Sequence, residues 1–187
     1  LLNNDIKIIS SNWIEEMLMY SQREDIACVG AKLYYPNKRI QHAGVIIGIY
    51  GCTGHSHKYY NFNSNGYFYR LVSVQNMSAV TAACLMIKTK IYKELNGLDE
   101  INLEVAFNDV DFCLRAQEKG YRNIFTPYCE AYHYESISRG KENTPIKMDR
   151  FKREVEYIKK RYSIIFKRGD PFYNPNLTLI REDFSLK

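Results

Sequence analysis

Hydrophobic positions along the chain fall into two periods. Ile26 to Tyr35 and Val80 to Ile87 are near-continuous apolar runs of strand length, and the second predicts a central strand buried on both faces. Val45 to Ile49, Leu71 to Val74, Arg122 to Thr126 and Glu130 to His133 read as further short strands, with Pro127 dividing the last two. Helical spacing takes over elsewhere. Trp13, Ile14, Met17 and Leu18, behind a capping Ser11, predict a helix to about Gln22 with those four residues facing inward. Lys90 to Leu95 reads as a short helix, and Phe107, Val110 and Leu114 predict another that stops at Gly120. Met148, Phe151, Val155, Ile158, Tyr162 and Ile165 predict a long amphipathic helix over 147–166. Residues 51–69 have no periodicity, 134–145 read as a loop, and the tail from Asp170 is turn-rich and extended. Leu1-Leu2 reads as the end of a buried strand that has been cut, so the chain is expected to be a fragment of a longer protein. Together these elements predict an α/β fold, a mixed sheet flanked by helices.

Composition adds bounds. With 187 residues, 45% of them hydrophobic, the chain can bury one core but hardly two. Its five cysteines are scattered and without a CxxC pair; Cys84 and Cys113 sit in apolar contexts and read as reduced core residues, which favours an intracellular, cytoplasmic setting. No apolar run is long enough to span a membrane. The net charge of +5 suits nucleotides, diphosphates or anionic lipid headgroups, and nucleic acid is not expected as a partner. The basic helix at 147–168 carries nine Lys and Arg against Asp149, Glu154 and Glu156. Such a helix either lies peripherally on the inner face of a membrane or packs on the core with a solvated basic face. His55 and His57 form an HxH without a third ligand nearby and are expected at the surface; the aromatic and Asn-rich loop around them weakly suits sugar contacts.

Three polar positions begin or end apolar elements. Asp109 and Asp111 open a helix: Asp111 has Arg115 four residues on as an ion-pair partner, whereas Asp109 has Cys113 there. Asp5 follows Leu1-Leu2 at a strand tip, and His133 ends a strand before a loop with Glu135 and Arg139. An Asp and a His suit a divalent ion such as Mn²⁺ or Mg²⁺, and a separate carboxylate suits a general base. By spacing alone His133 reads better as a satisfied core histidine.

The order of these segments resembles the C-terminal part of family 2 glycosyltransferases, inverting enzymes of the GT-A fold that use nucleotide-diphosphate sugars. Leu-Leu-Asn-Asn-Asp at the start resembles the family's DXD-type segment. Val80 to Ile87 followed by Asn96-Gly97-Leu98-Asp99-Glu100 resembles the stretch ending in Gly-Gly-Phe-Asp-Glu. Asn108-Asp109-Val110-Asp111 resembles Glu-Asp-x-Asp, and Gly120 to His133 resembles the run that closes on a metal-binding histidine. The resemblance covers essentially the whole chain. It implies a GT-A mixed sheet whose acceptor and catalytic half spans about 1–146, with the nucleotide-binding half absent, a C-terminal helix and tail over 147–187, and a fragment inactive alone. It assigns Asp5 and His133 to a metal (Mn²⁺ or Mg²⁺), Asp109 to the base, Asn3 and Arg139 to the donor diphosphate, and Gly97, Asp99 and Asp111 to the sugar or acceptor pocket. The implied partners are a nucleotide-diphosphate sugar and a saccharide or lipid-linked acceptor, in bacterial cell-surface polysaccharide biosynthesis. Asn3 stands where DXD has its first Asp, and Asn108 where the family has Glu. Two other classes compete: a non-catalytic glycan-binding or scaffolding relative, and a haloacid dehalogenase-type phosphatase, disfavoured because the Asp-x-Asp opens a helix.

Overall fold

A computed structural model of the chain describes residues 1–135 and 144–187. It is a mixed α/β structure built on two long parallel neighbours, β2 (Ile26–Tyr34) and β8 (Arg122–His133). Short antiparallel strands flank them. β8 pairs with β6 (Gln75–Met77) along its first half and β1 (Ile6–Ile8) along its second. On the other side β2 pairs with β7 (Leu85–Ile87) and then with β3 (Ile40–His42). A separate hairpin joins β4 (Val45–Ile47) and β5 (Thr53–His55). Every residue of β2 is buried, as a strand covered on both faces must be.

Helices α1 (Trp13–Ser21), α2 (Thr89–Glu94), α3 (Asn108–Glu118), α4 (Pro145–Arg161) and α5 (Ser163–Arg168) surround the sheet. The core divides in two across it: one cluster includes Phe112, Phe125, Val110 and Leu114, and a smaller one includes Met17, Ile26, Leu33 and Ala131. Ile158, Tyr162, Tyr173, Leu177 and Phe184 join the larger cluster, so α4 and the tail pack as part of the same core.

Several sequence expectations need correcting. The two strands predicted on either side of Pro127 are one strand. Its register against β2 jumps between Gly30 and Lys32, from Phe125 to Glu130, so the proline sits in a bulge where its missing N–H leaves no gap in the ladder. Val80 to Ile87 is not one continuous strand: only Leu85–Ile87 forms a strand, Cys84 makes an isolated bridge to Leu2, and 81–83 turn away. Leu71 to Val74 is not a strand, and β6 forms just beyond it. In α1 Met17 is buried, while Ile14 and Leu18 are exposed, and Asn12 rather than Ser11 occupies the cap. Leu1 and Leu2 are half-exposed, paired along residues 84 and 85 rather than buried. The long helix breaks at Tyr162, with Met148 and Phe151 exposed. No helix among the described residues is long and apolar enough to cross a membrane.

Gly30 has a placing role. A Cβ there would lie 2.5 Å from the Cβ of Val80, so glycine lets the 80–83 segment press onto β2.

Candidate functional site

The turn at 81–83 is where the candidate residues meet. Because it leaves the ladder, its backbone N–H groups need other acceptors. Ala82 N donates to Asp109 Oδ2 at 3.0 Å, and Thr81 N to His42 Nε2 at 3.3 Å. On its other side Asn3 N donates to the Ala83 carbonyl at 2.9 Å. Asp109 therefore lies across one two-residue stretch from Asn3, which in turn leads to Asp5. Asp109 Oδ1 also accepts from Val110 N at 2.8 Å. These two N–H groups fix the carboxylate's orientation and use one acceptor position on each oxygen, leaving the others available.

Asp5 and His133 meet because β1 runs antiparallel to β8, with Ile6 opposite His133. His133 Nε2 lies 3.2 Å from Asp5 Oδ1, both side chains being largely buried. That oxygen receives no hydrogen bond. The other ring nitrogen explains the arrangement. His133 Nδ1 is 2.8 Å from Gln41 Oε1, and Gln41 Nε2 donates to Glu135 Oε2 at 3.1 Å and approaches the His133 carbonyl at 3.5 Å. Two acceptors on its nitrogen orient the Gln41 amide, so its oxygen must accept from His133 Nδ1–H. With Nδ1–H given to Gln41, Nε2 is the nitrogen that faces the Asp5 oxygen, and it can carry either a proton or a metal ion. Either a proton on Nε2 or a bound cation satisfies this pair. A backing amide that sets the tautomer is what a metal-ligating histidine commonly has. The donor set of one carboxylate oxygen and one imidazole nitrogen fits Mn²⁺ well and Mg²⁺ acceptably. Among the described residues no set of three His, Cys, Asp or Glu converges on a metal geometry. A two-ligand site keeps most positions open for phosphate oxygens and water, as such ions prefer.

Gly97, Asp99 and Asp111 stand elsewhere, together lining a cleft of about 810 Å³ with Tyr92, Tyr157 and Arg161. Asp5, Asp109 and His133 do not line it. Asp111, two residues after Asp109, points to the opposite side of α3. Its carboxylate is 2.7 Å from Arg115 Nε and accepts from the Tyr162 hydroxyl at 2.6 Å, so the expected ion pair is present, with the carboxylate buried. Arg115 also donates to the Leu95 carbonyl and, at 2.8 Å, to that of Gly97, which ties the 95–97 turn to α3. Asp99 accepts from the Ile101 and Asn102 N–H groups, the Asn102 amide and the Tyr157 hydroxyl, and these bonds lower its pKa against the opposing effect of desolvation. Both carboxylates spend their acceptors inside the protein. Asn3 is exposed beside the 81–83 turn, and Arg139 lies outside the described residues.

The remaining histidines correct a further expectation. His57 is buried rather than at the surface, and its φ of +57° takes it out of any strand alternation with His55. Its Nε2 accepts from Tyr67 N at 3.0 Å, its Nδ1 is 2.7 Å from Ser56 Oγ, and its ring stacks on Phe184. Burial holds its pKa down to about 3. His42 accepts at Nε2 from Gly44 N and Thr81 N, and its Nδ1 is 2.8 Å from His55 Nδ1. Burial lowers both of their pKa values, His55 to about 4. Gln41 and Ala82 were not legible as site residues, because an isolated Gln in a three-residue strand and a backbone N–H carry no sequence signal.

No protein-family model matches the chain. It is 53% identical over 186 residues to an uncharacterized protein of Sinorhizobium fredii, the whole chain matching 20% of that protein's length. It is 32% identical over 201 aligned positions to the O-antigen biosynthesis protein RfbC of Myxococcus xanthus, covering 14% of that protein. The chain thus spans a fifth or less of the curated relatives it matches.

Proposed function

We propose that the chain carries the catalytic and acceptor part of a metal-dependent, inverting glycosyltransferase that uses a nucleotide-diphosphate sugar in cell-surface polysaccharide assembly. The observation that carries this reading is His133 Nε2 set 3.2 Å from Asp5 Oδ1, with Gln41 and Glu135 orienting the ring from its other nitrogen. Support comes from Asp109, one short backbone turn away, and from similarity to a protein named for O-antigen biosynthesis.

In this reading Asp5 and His133 would hold the divalent ion, whose Lewis acidity would offset charge on a departing nucleoside diphosphate. Asp109, oriented by Ala82 N and Val110 N, accepts the proton of an acceptor hydroxyl. That oxygen bonds to the anomeric carbon from the face opposite the diphosphate, whose bond to the same carbon breaks, so configuration inverts. Asn3 stands where it can donate an amide hydrogen bond to the donor's phosphates, a part the resemblance also gives Arg139. Asp111 has a structural part through Arg115 and Tyr162. The basic residues of α4 and α5 offer peripheral contact with an anionic membrane if the acceptor is lipid-linked.

The test is transfer from a panel of sugar nucleotides, with Mn²⁺ present, by this chain joined to the nucleotide-binding half that the resemblance calls for. Asp109→Asn should cost about a hundredfold or more in kcat while sugar-nucleotide affinity is retained. Full turnover in Asp109→Asn removes the base assignment. Failure of every sugar nucleotide to bind or react removes the transferase reading and favours a non-catalytic glycan-binding protein.

A further inference from the structure

Four of the nine non-glycine residues with positive φ among the described residues are exposed aromatics between 50 and 69: Tyr50, Tyr59, Phe68 and Tyr69. Tyr50 and Tyr59 have φ of +52° and +66°, a left-handed conformation that a Cβ-bearing residue disfavours. They remain 62% and 60% exposed, so neither recovers the cost by burying its ring. Strain that the packing does not repay is a feature of binding and catalytic surfaces.

The position of Tyr59 gives that strain a context. Its ring stacks on Tyr35, centroids 5.4 Å apart and planes within 14°. Tyr59 N donates to the Ile40 carbonyl at 2.7 Å and Tyr35 N to the Arg39 carbonyl at 2.8 Å, which anchors both at the start of β3. The next residue is Gln41, the amide that sets the His133 tautomer. Burial and then the Glu135 carboxylate raise the Tyr35 pKa, so Glu135 lies close to both Gln41 and the tyrosine pair. A run of neighbours therefore leads from Asp5 and His133 through Gln41 and Glu135 to the Tyr35–Tyr59 pair, whose Tyr59 ring Lys58 Nζ overlies.

We infer that Tyr35 and Tyr59 form a platform for a pyranose ring of a saccharide chain, beside the Asp5–His133 pair. A sugar ring presents axial C–H groups to an aromatic face and hydroxyls at its rim, and this surface offers both partners. The stacked rings supply the apolar face, and the tyrosine hydroxyls and the Glu135 carboxylate supply polar groups at its edge. Lys58, whose ammonium is 5.4 Å from the Tyr59 centroid on a four-carbon stem, can swing aside. The identity of this ligand as acceptor rests on the transferase reading; saccharide binding itself does not.

The experiment titrates the chain with soluble hexasaccharides of glucose, mannose and N-acetylglucosamine, read by calorimetry and by ring-proton shifts of the tyrosines. At least one should bind, and Tyr59→Gly should weaken it about tenfold or more. Because glycine suits a φ of +66°, the same variant should keep its melting temperature, separating lost contact from lost folding. Tyr59→Phe should keep most of the affinity. No binding by any of these probes, unchanged affinity in Tyr59→Gly, or self-association that Tyr59→Gly abolishes without any saccharide binding would each overturn the platform. Titrating the same samples with Mn²⁺ keeps the two proposals apart. Saccharide binding without Mn²⁺ binding leaves the platform and sinks the metal site, and the reverse outcome sinks the platform alone.

Discussion

Three of the histidines, His42, His55 and His57, and the fourth, His133, have opposite characters. His42, His55 and His57 are enclosed by partners: backbone N–H groups point at His42 and His57, the rings of His42 and His55 meet, and Phe184 covers His57. His133 is half-finished. One nitrogen is held by Gln41, and the other faces an Asp5 oxygen that accepts nothing. A buried histidine with both nitrogens used inside the fold is a structural member, whereas an oriented ring nitrogen facing a carboxylate is a candidate ligand. The comparison teaches that burial alone does not separate the two; hydrogen-bond accounting does.

The largest contrast should be in folding. His57→Ala removes the acceptor for Tyr67 N and the ring that stacks on Phe184, so it should cost about 3 kcal/mol in urea unfolding. His133→Ala, which removes one bond to Gln41, should cost about 1 kcal/mol. Equal losses would break the comparison.

These roles were unequally legible in the sequence. Asp111 and Arg115, four apart on a helix, announced their pairing. The long apolar β2 and the Phe107, Val110, Leu114 spacing announced the elements that carry the core. His57 did not announce its burial, because its partners Tyr67 and Phe184 are contributed by a loop without periodicity and by the C-terminal tail. That tail looked loose in sequence for the same reason: Asp170 accepts from Ile47 N and Glu182 from His55 N, long-range bonds that local pattern cannot encode. The 80–87 run misled because its apolar side chains pack as predicted while its backbone at 81–83 serves Asp109, His42 and Asn3 instead of a strand. For the site, order along the chain pointed to Asp5, Asp109 and His133. It could not distinguish the two sides of α3, which send Asp109 and Asp111 to different places.

Acid should sharpen the contrast next. His42, His55 and His57 have depressed pKa values in the fold and ordinary ones, about 6.5, when unfolded. Below that value the unfolded chain takes up protons the native state refuses. Their stabilisation is complete above pH 6.5 or so and is lost as pH falls toward the folded values, by up to about 1 kcal/mol per pH unit for each buried ring. Denaturation across pH 7 to 4 should therefore steepen, and His57→Phe should make the dependence shallower; a flat profile in the native protein would contradict the enclosed, neutral assignment. The smallest effect on folding belongs to Gln41. Gln41→Leu should leave stability within about 1 kcal/mol yet weaken Mn²⁺ binding about tenfold, because the amide acts only through the ring it orients. Unchanged Mn²⁺ affinity would show that the tautomer is set otherwise.

The central claim is that Asp5 and His133 are metal ligands and Asp109 is not. Electron paramagnetic resonance of Mn²⁺ titrated into the protein, with a nucleoside diphosphate present, tests it directly. One Mn²⁺ should bind, with an affinity at least about tenfold weaker in both Asp5→Asn and His133→Ala and no such loss in Asp109→Asn. Absent binding, or equal affinity in all four proteins, would contradict it.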